Sequence, residues 1–167
     1  MNADYLRMLF DYTYWAHRKV WGCVEMLTDA QFTQDLGYSW GSIRGQVVHV
    51  MSAETVWFSR IQGRSPTALA SETGYPTRSS IRNAWDAVEA AMRAYLSALD
   101  DAMLQRDIVY RTTKGVEHRQ PLFEILAHVA NHGTDHRAQI LAMLHQLGAP
   151  TLEQDMLHYF RERFNRL

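Results

Sequence analysis

Three histidines recur every fourth residue in the stretch LAHVANHGTDHRAQI: His128, His132 and His136. Neutral imidazole is a metal ligand, and side chains four apart on a helix have Cβ atoms roughly 6 Å apart, so two such rings can converge on one ion. The same spacing also suits histidines satisfied inside a core, so the neighbouring residues must decide. With His132 at zero and about 100° per residue, Ile125, Val129, Ile140, Met143 and Leu147 fall between about +20° and +80°. Leu126 and Leu144 extend this apolar arc. His136, at about +40°, lies inside it and His132 on its edge, whereas His128, at about −40°, turns toward Gln139 and Gln146. Two of the three imidazoles therefore face the interior. A zinc-protease motif is not formed, because HGTDH has Gly133 where H-E-x-x-H carries its glutamate base.

A third ligand should come from another helix. In SWGSIRGQVVHVMSAETVWF, His49 flanks the arc of Ile43, Val50, Ala53 and Trp57. His17 is the next candidate, followed by the Tyr14 hydroxyl. His118, His145 and His158 read as solvent-exposed residues. Two charged residues, Glu54 and Arg137, fall within apolar arcs of their helices; a buried charge needs a partner, so the pattern predicts that they pair. Cys23, the lone cysteine, sits among Val20, Trp21 and Val24 and reads as a packed thiol. Trp15, Trp40 and Trp57 could wall a pocket, although aromatic residues serve cores and dimer interfaces more often.

The elements that must position these groups are helical, since apolar residues recur every three or four positions in four long segments. The first runs roughly from Ala3 to Leu27, with capping-box spacing at Thr28 and Gln31 marking a short extra turn. The second spans about Ser42 to Gln62 and stops at Gly63. The polar stretch GRSPTALASETGYPTR then reads as a long surface loop. A third helix covers about Ser79 to Leu99, capped by Thr77. Residues 107–120 alternate around Lys114 and Gly115 as a small hairpin or extended link. The fourth helix starts at Pro121 and ends at Gly148, and a short terminal helix follows from about Leu152 to Phe164. The fold expected is all-α: one domain over residues 1–167, an antiparallel four-helix bundle.

Bulk composition narrows the chemistry. At 167 residues, 47% of them hydrophobic and with a net charge of −1, the chain can bury a substantial core but carries no basic field to gather nucleic acid. No apolar run approaches the roughly 18 residues of a membrane span. The N-terminal residues include acids where a secretory signal carries bases, and one cysteine cannot form an internal disulfide. A cytoplasmic enzyme or binding protein is expected, with neither nucleic acid nor membrane as partner.

Three stretches together resemble the DinB/YfiT-like family of helical metal-binding proteins: YWAHRKVWGCVEML, GSIRGQVVHVMSAETVWFSRIQG and LFEILAHVANHGTDHRAQILAMLHQLGAP. Their order and spacing cover most of the chain. The resemblance implies a metal-binding triad at His49, His132 and His136. It departs at Ala138, where the family commonly has glycine, and at His17, where asparagine is frequent. Histidine-only ligation suits one divalent ion, Zn, Ni, Co or Fe, without choosing among them. The resemblance further implies a homodimer and thiol-dependent transfer to a small electrophilic substrate, with glutathione, bacillithiol or mycothiol as the low-molecular-weight thiol. A metal-dependent hydrolase and a non-enzymatic metal-binding stress-response protein are the alternatives. The catalytic residues beyond the metal are left open.

Overall fold

The computed structural model describes residues 2–165. Four long helices carry the fold: α1 (Ala3–Glu25), α3 (Ile43–Ile61), α4 (Arg78–Ser97) and α6 (Leu122–Gln146). Short helices lie between and after them: α2 (Asp29–Thr33), α5 (Asp101–Leu104) and α7 (Met156–Phe164). Each long helix packs on two neighbours, in the cyclic order α1, α6, α3, α4, so α1 and α3 occupy opposite corners and the first connection crosses the bundle. No described helix is long and apolar enough to cross a membrane.

The boundaries follow local chemistry. The side chains of Asn2, Ser42 and Thr77 accept from the N–H of Tyr5, Gly45 and Ser80, satisfying first-turn donors of α1, α3 and α4. At Thr28 the capping box with Gln31 forms and opens α2. The end of α6 is a Schellman turn: Gly148 takes φ +67°, and the Gly148 and Ala149 N–H groups return to the carbonyls of His145 and Leu144. A side chain at 148 would strain that left-handed residue.

The hairpin is real and small. Strands β1 (Asp107–Arg111) and β2 (Glu117–Pro121) pair antiparallel with Ile108 opposite Gln120 and Tyr110 opposite His118. Ile108 and Tyr110 point into the core, and Pro121 ends β2 rather than starting α6. The terminal helix begins at Met156, four residues later than its apolar pattern suggests. Residues 63–77 hold only one 3₁₀ turn, Glu72–Gly74, and are tied to α3 where the Ala70 N–H donates to Ser52 Oγ at 2.7 Å.

The core divides into two main clusters. One gathers Val20, Val24, Ile43, Val47, Met51, Trp85 and Leu144; the other gathers Leu6, Phe10, Met92, Leu122, Ile125 and Leu126. Burying a side chain of this size stabilises the fold by roughly 1.5–3 kcal/mol before chain entropy is subtracted. These clusters hold α3 and α6 side by side, and the histidines lie on that edge.

Candidate metal centre

His49 projects from α3, and His132 and His136 from α6. One ring nitrogen from each lies within 4.8 Å of the other two. The His132 and His136 ring centres are 4.2 Å apart, and His49 stands 4.6 Å from His136 and 5.2 Å from His132. His136 is buried and the other two are half-buried. A tetrahedral ion with metal–nitrogen distances of about 2.1 Å would need these nitrogens about 3.4 Å apart. Nitrogens already within 4.8 Å would need to close by about 1.4 Å at most to reach that spacing.

Their protonation suits ligation. Burial, reinforced by the adjacent His136 and His132 rings, pushes the His49 pKa down to about 3. Burial and the neighbouring imidazoles push His132 down to about 4, against an opposing pull from Asp135. His136 is also lowered by burial, with Asp135 opposing. All three rings are therefore neutral at pH 7, with lone pairs available to a cation. The donor set, charge state and convergence fit one divalent ion.

Two neighbours fix the rings. Trp40 stacks on His49 with ring centres 4.0 Å apart and planes 15° apart. The turn bearing Trp40 reaches that close because residue 45 is glycine: a Cβ there would stand 2.2 Å from the Trp40 carbonyl oxygen. Gln46 Nε2 lies 2.6 Å from His136 Nδ1 and 2.8 Å from Gln139 Oε1, leaving His136 Nε2 as the free nitrogen. Sequence reading missed Gln46. Its signal was the three-residue spacing to His49, which puts both on one face of α3.

The remaining histidines lie elsewhere. His128 is exposed, its ring 5.0 Å from Trp57 and 5.7 Å from His132, and it stands outside the converging group. His118 and His145 are exposed, and His158 is half-buried with Nε2 2.9 Å from Glu153. His17 is buried against Trp85 at 4.6 Å between ring centres, with no hydrogen-bond partner on either ring nitrogen among the described residues. Burial first, then Arg137, hold its pKa well below the usual histidine range. Cys23 is buried and free, with burial raising its pKa.

The expected Glu54–Arg137 pair does not form. Both side chains are buried, but Glu54 accepts from Tyr14 Oη at 2.5 Å and Trp85 Nε1 at 3.1 Å. Arg137 donates to Gln154 Oε1 at 2.7 Å and Thr134 Oγ1 at 2.8 Å, and lies over the Tyr12 ring. Neutral donors from α1 and α4 satisfy the carboxylate, so it needs no cation. Burial raises its pKa to about 7 despite those hydrogen bonds, which stabilise the charged form. Tyr14, the hydroxyl candidate for metal ligation, is thereby committed to Glu54.

Beside His49 opens a cavity of about 420 Å³, lined by Trp40, Val48, Leu69, Ala70, Ser71 and Glu72 among others. The 63–77 loop thus walls a space next to His49. Its size is that of a small-molecule site.

The profile of the DinB family matches residues 1–164. Protein DinB of Bacillus subtilis (strain 168) is 26% identical over 157 residues, covering 89% of this chain and 91% of that relative. Among solved structures, a DinB-like protein from Bacillus cereus ATCC 10987 aligns with a TM-score of 0.58 at 20% identity, covering 87% of this chain and 95% of its own. YfiT from Bacillus subtilis, described as a probable metal-dependent hydrolase with an unusual four-helix bundle topology, aligns with a TM-score of 0.60 at 16% identity. That alignment covers 87% of this chain and 86% of YfiT.

Proposed function

Because this chain belongs to the DinB family, we propose that it is a metal-dependent enzyme that transfers a small thiol to an electrophilic substrate. His49, His132 and His136 are the ligands in this reading. The observation that carries it is the convergence of three neutral imidazoles, one of which, His49, lines a cavity of about 420 Å³. Three such ligands leave coordination positions open, and a divalent ion there would supply the Lewis acidity that keeps a small thiol or water deprotonated near neutral pH.

The chain's own groups do the positioning. Trp40 holds the His49 ring plane, and Gln46 holds His136. Val48, Leu69 and Ala70 give the cavity an apolar wall for the carbon skeleton of a substrate, while Ser71 and Glu72 offer polar groups. A cavity opening at one ligand, His49, favours an enzyme over a protein that only stores metal.

Hydrolysis is the second reading, favoured by the description of the structural neighbour YfiT. Cobalt-substituted protein separates the two. Thiol ligation should add an intense near-ultraviolet charge-transfer band with glutathione, bacillithiol or mycothiol, and turnover of a chloronitrobenzene or epoxide should disappear in His136→Ala. If no thiol gives the band or metal-dependent transfer, while esters or amides are hydrolysed in a metal-dependent way, the hydrolase reading replaces it.

A further inference from the structure

Arg60 sits in the last turn of α3, eleven residues and about 16 Å along the helix from His49. It is 6% exposed, yet its side chain makes no hydrogen bond or ion pair among the described residues, and its Nε is buried without a partner. What surrounds it is aromatic: its guanidinium carbon lies 4.5 Å from the Trp57 ring centre and 5.1 Å from that of Tyr110. Ring faces attract a cation but accept none of its five N–H donors in the usual sense. Nε is the one nitrogen shut away from solvent; the two terminal nitrogens are unpartnered among the described residues and open to the adjacent space, where they can receive an anion.

The space for one is adjacent. A cavity of about 480 Å³ is lined by Arg60, Tyr95, Arg106, Asp107, Ile108 and Val109 together with the end of α3. Arg106 makes no ion pair with a described residue; its guanidinium only donates to Tyr95 Oη at 3.4 Å. The one acid in the lining, Asp107, stands 3.4 Å from Arg119. A helix C-terminus would ordinarily repel an anion, but the carbonyls of Phe58, Ser59 and Arg60 are occupied by the N–H groups of Gln62, Arg64 and Gly63. The strand supplies a further donor. The Arg111 N–H turns outward to Ser65 Oγ at 3.0 Å, so the Val109 N–H, two residues back, faces the same outer edge of β1.

We propose that the Arg60–Arg106 cavity binds a small carboxylate- or phosphate-bearing anion, at a site separate from the three histidines. Arg60 would present its planar fork to two oxygens of the ligand, held in orientation by the Trp57 and Tyr110 rings. Arg106 would close over the exposed side as a second charge.

The test uses ¹⁵N-labelled full-length protein treated with EDTA, titrated separately with inorganic phosphate and with acetate while the arginine Nε–Hε signals are followed. Sodium chloride at matched ionic strength is the control. The expected result is a saturable shift of the Arg60 signal with phosphate, acetate or both, absent with chloride. Which anion saturates identifies the ligand class. Arg106→Gln, a surface change that leaves the core intact, should weaken binding about tenfold, and Arg60→Met should abolish it. A shift that is absent, reproduced by chloride or unchanged in Arg106→Gln would overturn the proposal. So would binding that appears only after a divalent metal is restored, since it would then belong to the histidine centre.

Discussion

The bundle encloses two polar regions that meet where His132 and Glu54 line one small cavity, and they are built on opposite principles. In the His49–His132–His136 centre, like groups converge, and the chain satisfies them sparingly: Gln46 approaches one ring, and His49 Nδ1 has no partner among the described residues. In the cluster behind it, unlike groups are matched except at Arg137 Nη1, which is buried without a partner among the described residues. Glu54 takes hydrogen bonds from Tyr14 and Trp85, and Arg137 donates to Gln154 and Thr134. Converging lone pairs with few internal donors are suited to an external cation. A carboxylate that has two neutral donors is suited to holding three helices together, because Tyr14, Glu54 and Trp85 come from α1, α3 and α4. Burial alone does not mark function; the direction in which hydrogen-bonding capacity is left over does.

The largest effect should come from metal on the first region. A divalent ion at a thousandfold over its Kd should raise unfolding free energy by about 4 kcal/mol. Alanine at His49, His132 or His136 should remove most of that increment, whereas His128→Ala should retain it. Denaturant unfolding with and without metal measures the difference.

Next is the pH response of the second region. Glu54 has a folded pKa of about 7 against an ordinary value of 4.5, so the native state binds the extra proton between those values. Its contribution must therefore fall as pH rises from 4.5 to about 7, by on the order of 3 kcal/mol, and stay level above. Buried His17 and half-buried His49 and His132, with lowered pKa values, act in the opposite sense and lose stability as pH falls. The Glu54 effect is thus read as the difference between wild type and Glu54→Gln. That variant should gain relative stability from pH 5 to pH 8; parallel curves would mean the carboxylate is solvated in the fold.

Tyr14→Phe should cost about 1–3 kcal/mol, because one carboxylate oxygen loses its buried donor. The metal-induced increment should survive. Loss of that increment would merge the two regions into one functional unit. Smallest is Gln46→Leu, which should cost the metal-free protein about 1 kcal/mol for the hydrogen bonds it loses to His136 and Gln139 and weaken metal affinity by about tenfold, as expected for a group that orients a ligand.

Much of this architecture was legible in the chain. Helical periodicity, Thr77 as a cap, and Gly63 and Gly148 as stops are local signals, and local signals place helices well. The histidine positions followed from helix angles on α6 and from the family resemblance, and the structure brings those three rings together. The Glu54–Arg137 pairing failed for a physical reason. Helix angles report that a charge faces inward, but not which of several inward partners it meets, and here neutral hydroxyl and indole donors reached Glu54 first. Gln46 was passed over because an amide on an apolar face carries no charge to account for. The stacking of Trp40 on His49 depends on a turn lying against Gly45, a tertiary approach that periodicity does not encode.

The most direct test of the account is metal analysis of protein purified without an affinity tag, equilibrated with divalent metals and freed of loosely held ions. Wild type and His128→Ala should each retain one ion per chain, and alanine at His49, His132 or His136 should leave far less than one. Retention in His49→Ala together with loss in His128→Ala, or no bound ion in the wild type, would contradict it.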